Sequence, residues 1–244
     1  MTDINPSLSR LQGLLDQAQR IAVLTGAGMS TESGIPDFRS ANGLWSRDMS
    51  LAEAVSIDYF RRDPAAFWLA FRDIFHLKLV GGYQPNDGHR FLAALEAAGK
   101  EVTVLTQNID GLHGRAGSRR VLEMHGTLLT ASCPGCGEVH PLDYVERLAL
   151  PECRYCHGVL KPDVVLYGEA VPLIEPAFDA ALAADLLLVM GSSLEVSPVN
   201  LIPAEAARAG IPCALVNYTP TRFDALFDVC LRAGIGETCR QLRA

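Results

Sequence analysis

Four short apolar runs, each stopping abruptly at a polar or glycine-rich turn, constrain this chain more than any other feature. Ile21–Thr25 stops at Gly26-Ala27-Gly28, and Glu101–Thr106 stops at Gln107-Asn108-Ile109-Asp110. Asp185–Met190 stops at Gly191-Ser192-Ser193, and Cys213–Val216 stops at Asn217. Short apolar runs bounded by turn residues read as strands buried on both faces, as in a parallel sheet. Helical patterns lie between or beside them at Gly88–Ala98, Pro203–Ala209 and Ser7–Arg20. The last of these carries Leu8, Leu11, Leu14 and Leu15 on one face, with Ser7 as the expected N-cap. Strand–turn–helix alternation predicts an α/β fold built on a doubly wound, mostly parallel Rossmann-like sheet, with its ligand at the carboxyl ends of the strands.

Two stretches interrupt this pattern. Residues 38–80 read as helices and loops, and residues 127–161 are short, polar and rich in cysteine. Both are assigned to a smaller domain, a helical module plus a metal-binding module. The remainder, 1–37, 81–126 and 162–244, forms the large domain.

Cys133-Pro134-Gly135-Cys136 and Cys153-Arg154-Tyr155-Cys156 make a C-x2-C-x16-C-x2-C pattern. Two intervening residues let both sulfurs of a knuckle face one ion, and two knuckles complete a tetrahedron. Gly135, Gly137 and Gly158 ease the tight turns. The spacing predicts a zinc ribbon whose four thiolates close the coordination shell, a structural site with no open position. A redox dithiol is the competing reading, and two evenly spaced pairs favour the metal. His140 and His157 are expected to be exposed loop residues rather than ligands.

Composition excludes several classes. The formal charge is −7 and charged residues make up 20%, so there is no basic footprint for nucleic acid or an anionic membrane. No apolar run approaches a membrane span. The N-terminus lacks a signal pattern and reads as mature and cytoplasmic. An odd count of seven cysteines argues against a disulfide scaffold.

Gly26-Ala27-Gly28 after a strand suggests backbone held close to a pyrophosphate. The full dinucleotide fingerprint is absent, because Thr31 stands where a third glycine belongs and the second strand lies far downstream. An ordinary dehydrogenase is therefore disfavoured. The run continues Met29-Ser30-Thr31-Glu32-Ser33-Gly34-Ile35-Pro36-Asp37-Phe38-Arg39. Here the chain resembles the sirtuin family of NAD-dependent protein deacylases. The likeness extends in order through Gln107-Asn108-Ile109-Asp110, Leu122-Glu123-Met124-His125-Gly126 and the paired cysteines. It goes on through Lys161–Glu169, Gly191-Ser192-Ser193-Leu194 and Val216-Asn217.

The resemblance implies that the bond between nicotinamide and ribose is cleaved as the acyl-lysine oxygen attacks. The products are lysine, nicotinamide and O-acyl-ADP-ribose. It places the general base on His125, a residue type suited to proton transfer near neutral pH. Asp110 matches the acceptor of the nicotinamide carboxamide, Asn108 a residue ordering the ribose or a water, and Gln107 a ribose contact, with Ile109 between them. Asn and Asp also favour helix caps, and both roles can coexist. Phe38 matches an aromatic shield over the ribose, flanked by Asp37 and by Arg39, a polar contact. The pyrophosphate is expected against Gly26, Ala27 and Gly28, with Gly191, Ser192 and Ser193 opposite. Asn217 matches a contact to the adenosine ribose, and Ala233 a looser one to the adenine. An acyl-lysine peptide is expected to add as a strand beside Val165–Gly168, with Val165, Leu166, Tyr167, Gly168, Glu169 and Val196 around the lysine. Pro162 before this segment and Gly168 at its end suit a short exposed edge.

Relatives that prefer acidic acyl groups carry Tyr and Arg three residues apart in the helical insertion. Aligned from Asp63-Pro64, those places hold Phe71 and Ile74, with Arg72 one residue away. A buried carboxylate there would lack a cation, so acetyl or another neutral acyl group is expected. NAD and zinc are the expected cofactors. The partner is an acyl-lysine peptide, with no nucleic acid or membrane, and the expected state is a monomer. ADP-ribose transfer to protein and non-catalytic NAD sensing are the alternative activities; His125, Asn108 and Asp110 together weigh against the second.

Overall fold

The computed structural model describes residues 6–36, 53–79 and 82–244. In chain order they form α1 (Pro6–Gln17), β1 (Arg20–Thr25), α2 (Ile57–Arg62), α3 (Pro64–Leu79), α4 (Asp87–Ala97), β2 (Glu101–Thr106), α5 (Leu112–Ala116) and β3 (Val121–Glu123). They continue with β4 (Gly126–Ser132), β5 (Val139–Pro141), α6 (Leu142–Val145), β6 (Lys161–Val164), α7 (Ile174–Leu182) and β7 (Leu186–Met190). The chain closes with α8 (Ile202–Arg208), β8 (Cys213–Val216), β9 (Val229–Leu231) and α9 (Ile235–Gln241).

Six strands pair in the order β3-β2-β1-β7-β8-β9, every pairing parallel. The chain winds outward from β1 on one side and from β7 on the other, so the order reverses between these two strands. Such a switch point opens a crevice at the carboxyl ends, where ligands bind in this architecture. Alternate side chains of the same strands feed opposite faces. Val23, Val104, Leu188 and Ala214 join Leu11 and Leu15 of α1, Leu92 and Leu95 of α4 and Ile235 of α9 in one core. Ala22, Leu24, Leu187, Val189 and Leu215 join Ala177 and Ala181 of α7 and Ile202 and Ala206 of α8 in the other. All four strands expected from sequence are present. Strands β3 and β9, three residues each, were not expected, since so short a run carries no period of its own. Ser7 does not cap α1. The helix begins at Pro6, whose fixed φ and missing amide suit a first turn, and Ser7 lies inside it.

A second, antiparallel sheet in the order β5-β4-β6 packs with α2 and α3. Its core is a ring cluster: Phe67 stacks on Phe71 at 5.5 Å, and Trp68 and Phe75 flank Phe71 at 5.4 and 4.7 Å. Trp68 Nε1 donates to Leu160 O at 2.8 Å, so the indole is satisfied though buried. Pro162 sits in β6, which is an edge strand of this sheet, where a missing amide does least harm. Gly126 marks the passage from the large sheet to the small one. Its φ is +77°, and a Cβ there would lie 1.9 Å from Asp163 O. Only glycine fits.

Candidate active site

The four cysteines sit on two like turns. Cys133 N donates to Glu138 O and Cys153 N to Gly158 O, at 2.8 and 2.7 Å. The residue after each second cysteine, Gly137 or His157, is left-handed, with φ of 76° and 61°. The turns bring Cys133 Sγ to 3.3 Å from Cys156 Sγ, and Cys136 Sγ to 3.6 Å from Cys153 Sγ. All four sulfurs lie within 4.8 Å of one another. A tetrahedron with Zn–S bonds of about 2.3 Å has edges of roughly 3.8 Å, so the set is placed to hold a zinc ion with no open position. His140 is not the exposed loop residue expected. It is buried in β5, stacks on Tyr144 at 4.9 Å and reaches Cys153 Sγ through Nε2 at 3.4 Å. Burial of its apolar ring face beneath the second knuckle explains the difference; His157 is exposed, as expected.

At the switch point the loops after β1 and β7 close on each other. Gly26 N donates to Met190 O at 3.3 Å and Gly28 N to Gly191 O at 2.9 Å. A Cβ on Gly28 would stand 2.9 Å from Gly191 Cα, and one on Gly191 2.3 Å from Met29 N. The glycines are thus required by backbone meeting backbone. Ser192 Oγ accepts from Gln107 Nε2 at 2.9 Å and from Leu194 N at 3.2 Å, joining β7 to the end of β2. Ala27 is half-buried and Ser193 exposed.

Asn108 is buried, and its Nδ2 donates to Gly26 O at 3.0 Å and to Ser30 Oγ at 3.1 Å. The Ser30 hydroxyl donates onward to Asp110 Oδ2 at 2.7 Å. The other oxygen, Oδ1, accepts Leu112 N at 2.9 Å and braces the turn into α5. One carboxylate thus serves both the helix start and the site. Both amide hydrogens of Asn108 are taken, so its Oδ1 remains an acceptor, and no donor to it is found among the described residues. Ile109 turns away into the core of the small sheet, and its carbonyl accepts Leu128 N at 3.0 Å.

His125 follows β3. Its Nδ1 lies 3.0 Å from Gln107 O. A carbonyl can only accept, so the proton is on Nδ1 and Nε2 keeps its lone pair. Burial pushes the His125 pKa below the usual histidine value, and the bond to Gln107 draws it partly back. The ring is a neutral base at pH 7. Glu123, half-buried nearby, is raised by burial and by the Asp110 charge.

Val165 N donates to His125 O at 2.8 Å, tying the segment after β6 to the same histidine. Leu166 is buried, and its amide is held by Glu169 Oε2 at 2.8 Å; the same carboxylate pairs with Lys161 Nζ at 3.0 Å. Tyr167 exposes 48% of its surface, but its backbone pairs with residues 55–57, donating to Val55 O and accepting from Ile57 N, so this segment is not the open edge expected: the chain before α2 already lies along it. Gly168 is exposed with φ of +92°, and Val196 is half-buried beyond Ser193. Asn217 closes β8, its Nδ2 donating to Thr219 O at 2.8 Å, and Ala233 follows β9 one strand further out. Asp37, Phe38 and Arg39 lie outside the described residues. Sequence reasoning passed over Ser30, Thr25 and Thr106, since a hydroxyl beside a turn is too common to stand out. Cys213 and Cys239 are buried thiols pushed up to about 12, so they stay protonated.

The Sir2 family model matches residues 26–198. An NAD-dependent protein deacetylase of Chromobacterium violaceum is 81% identical over 244 residues, covering 100% of both chains. NAD-dependent protein deacetylase 2 of Geobacillus kaustophilus is 53% identical over 239 residues, covering 97% of this chain and 96% of its own. A solved structure of Sir2 with a p53 peptide and NAD+ is similar at a TM-score of 0.84 and 33% identity, covering 96% of each chain.

Proposed function

The chain belongs to the Sir2 family, and from that premise we propose that it is an NAD-dependent protein-lysine deacetylase acting on acyl-lysine peptides. When bound, NAD supplies the nicotinamide–ribose bond that breaks and the ADP-ribose that carries the acyl group away. The observation that carries the reading is the set of groups at the carboxyl ends of β1, β2 and β3. A neutral histidine has Nε2 unprotonated, an asparagine has its donor end taken, and a carboxylate is tied to that asparagine by Ser30. His125 is the base that takes a proton from a ribose hydroxyl. Asp110 accepts from the nicotinamide carboxamide, and Asn108 Oδ1 with Gln107 orders the ribose end. Gly26, Ala27, Gly28, Gly191, Ser192 and Ser193 receive the pyrophosphate, and Asn217 and Ala233 the adenosine. The peptide lies along Val165–Gly168 with Val196 opposite; Glu169, through Lys161 and the Leu166 amide, holds that turn in shape.

Residues 1–37, 81–126 and 162–244 make the large domain in this reading, and 38–80 and 127–161 the small one. We assign the protein to the cytoplasm. All seven cysteines are unpaired, which suits a reducing compartment, and no described helix is long and apolar enough to cross a membrane.

Acetyl or another neutral acyl group is preferred. Phe71 is buried in the ring cluster and offers no polar group. Arg72 is spent elsewhere: its guanidinium donates to the carbonyls of Val145, Glu146 and Leu148, closing the end of α6. Mass spectrometry of an acyl-lysine peptide panel, with and without labelled NAD, tests the whole reading. Nicotinamide release with label in acyl-ADP-ribose is expected. Label on protein would indicate ADP-ribosyl transfer instead, and succinyl turnover above acetyl turnover would sink the acyl preference.

A further inference from the structure

His89 on α4 and His113 on α5 have no part in the chemistry above, yet both lie beside it with 0% and 2% of their surface exposed. Their ring centroids are 4.7 Å apart. Each ring has one nitrogen with a partner and one buried nitrogen without. His89 Nδ1 accepts the Asn86 amide at 3.3 Å, which puts the His89 proton on Nε2, the orphaned atom. His113 Nε2 lies 3.0 Å from Thr25 Oγ1. The Thr25 hydroxyl is hydrogen-bonded to the Thr106 hydroxyl at 2.8 Å, and Thr106 Oγ1 also accepts the Asn108 amide at 3.0 Å. His113 Nε2 and Thr25 share one hydrogen, and His113 Nδ1 is left without a partner. Two rings in contact thus each leave a buried nitrogen unmatched. Burial holds both rings neutral, His89 at about 4 and His113 at about 3.

We propose that His113, backed by His89, is a positioning residue that holds Asn108 in register through the Thr25–Thr106 hydroxyl pair. The inference rests on the deacylase reading above. The chain of bonds runs from His113 Nε2 to Thr25, to Thr106, to the backbone amide from which the Asn108 side chain hangs. At its other end Asn86 caps α4 and, through Nδ2, holds Met29 O at 2.7 Å and Ser33 Oγ at 3.0 Å. One pair of helices therefore grips both arms of the site, the loop after β1 and the turn after β2. Two apolar side chains would fill the same space without orphaned nitrogens, which are costly when buried. The polar link to Thr25 is what apolar packing would lose.

In 15N spectra of the intact enzyme at pH 7 both rings are expected to be neutral, with His89 as the Nε2–H tautomer; a charged ring, or His89 protonated on Nδ1, would overturn the assignment. His113→Phe keeps a ring and removes the nitrogen that bonds Thr25. It is expected to lower kcat about 10–100-fold and to slow nicotinamide exchange by the same factor, with peptide KM within about 2-fold. His113→Gln restores a polar end that can donate or accept and is expected to recover kcat to within about 3-fold of wild type. Thr25→Val should reproduce the His113→Phe loss, and the two together should lose no more than either alone. Full kcat in folded His113→Phe, no recovery with Gln, or additive losses would each overturn the proposal. Should His113→Phe not fold, Thr25→Val carries the same prediction. A wild-type protein inactive on every acyl peptide would refute the deacylase reading instead, and the tautomer measurement stands apart from it.

Discussion

The zinc corner and the nicotinamide corner both converge several polar side chains on one point, but they do so over different stretches of chain. All four sulfurs come from residues 133–156, and each pair is shaped by its own hydrogen-bonded turn. In the other corner Ser30 meets Asp110 across 80 positions of sequence, and Gln107 meets Ser192 across 85. Nothing local brings these together; strand order does, by setting the ends of β2, β1 and β7 side by side. A site built by turns survives changes elsewhere and fails when its own ligand is lost. A site built by strand order depends on residues that never touch the substrate.

The largest effect should come from the metal. Stripping zinc with a chelator, or Cys153→Ser, is expected to lower the unfolding midpoint by more than about 10 °C, read by thermal scan beside atomic absorption. A metal-free protein of unchanged midpoint would break the comparison at its local end. His125→Ala comes next, with an expected fall in deacetylation of about 10²–10⁴-fold while zinc content and unfolding midpoint hold. Activity and zinc lost together would show the two corners to be one. Ser30→Ala leaves Asp110 Oδ2 and one Asn108 hydrogen without their partner, and about a 10-fold loss in kcat/KM is expected from roughly 1–2 kcal/mol of lost positioning.

The most gradual effect is acid sensitivity. His89 and His113 have folded pKa values of about 4 and about 3, below the usual 6.5. Burial is the main cause for both; Asp110 partly offsets it at His89 and Arg90 adds to it, while His89 adds to it at His113. Below pH 6.5 the unfolded chain binds protons that the folded one refuses. Stability from these rings is therefore whole above that pH and is lost as pH falls toward the folded values. The loss is at most about 1.4 kcal/mol per pH unit per histidine. Urea midpoints from pH 7 to 5 should show it, and His113→Gln should remove about half of this contribution; a flat wild-type profile would contradict the burial argument.

Much of the fold was legible because β1, β2, β7 and β8 have mostly apolar, buried interiors and end at turn residues, the mark of strands covered on both faces. β3 and β9 were not, since three residues show no period and pair only because a neighbour is already in place. Among site residues, the cysteines followed from spacing, whereas His125, Asn108 and Asp110 came from family resemblance. His140 was misjudged because nothing in its neighbours announces that it lies beneath a knuckle. Ser30 and His113 were missed because their partners are distant in sequence.

By itself the sequence determined the four buried strands, the glycines that allow their loops to meet, and the two cysteine knuckles, all consequences of burial pattern and turn chemistry within a few residues. Only the tertiary structure decided which nitrogen of His125 is free, that both hydrogens of Asn108 are taken, and that Arg72 is tied to the end of α6. Those outcomes depend on which carbonyls and hydroxyls the sheet order brings within about 3 Å, and hydrogen bonding at that range is sensitive to position in a way that residue identity does not encode.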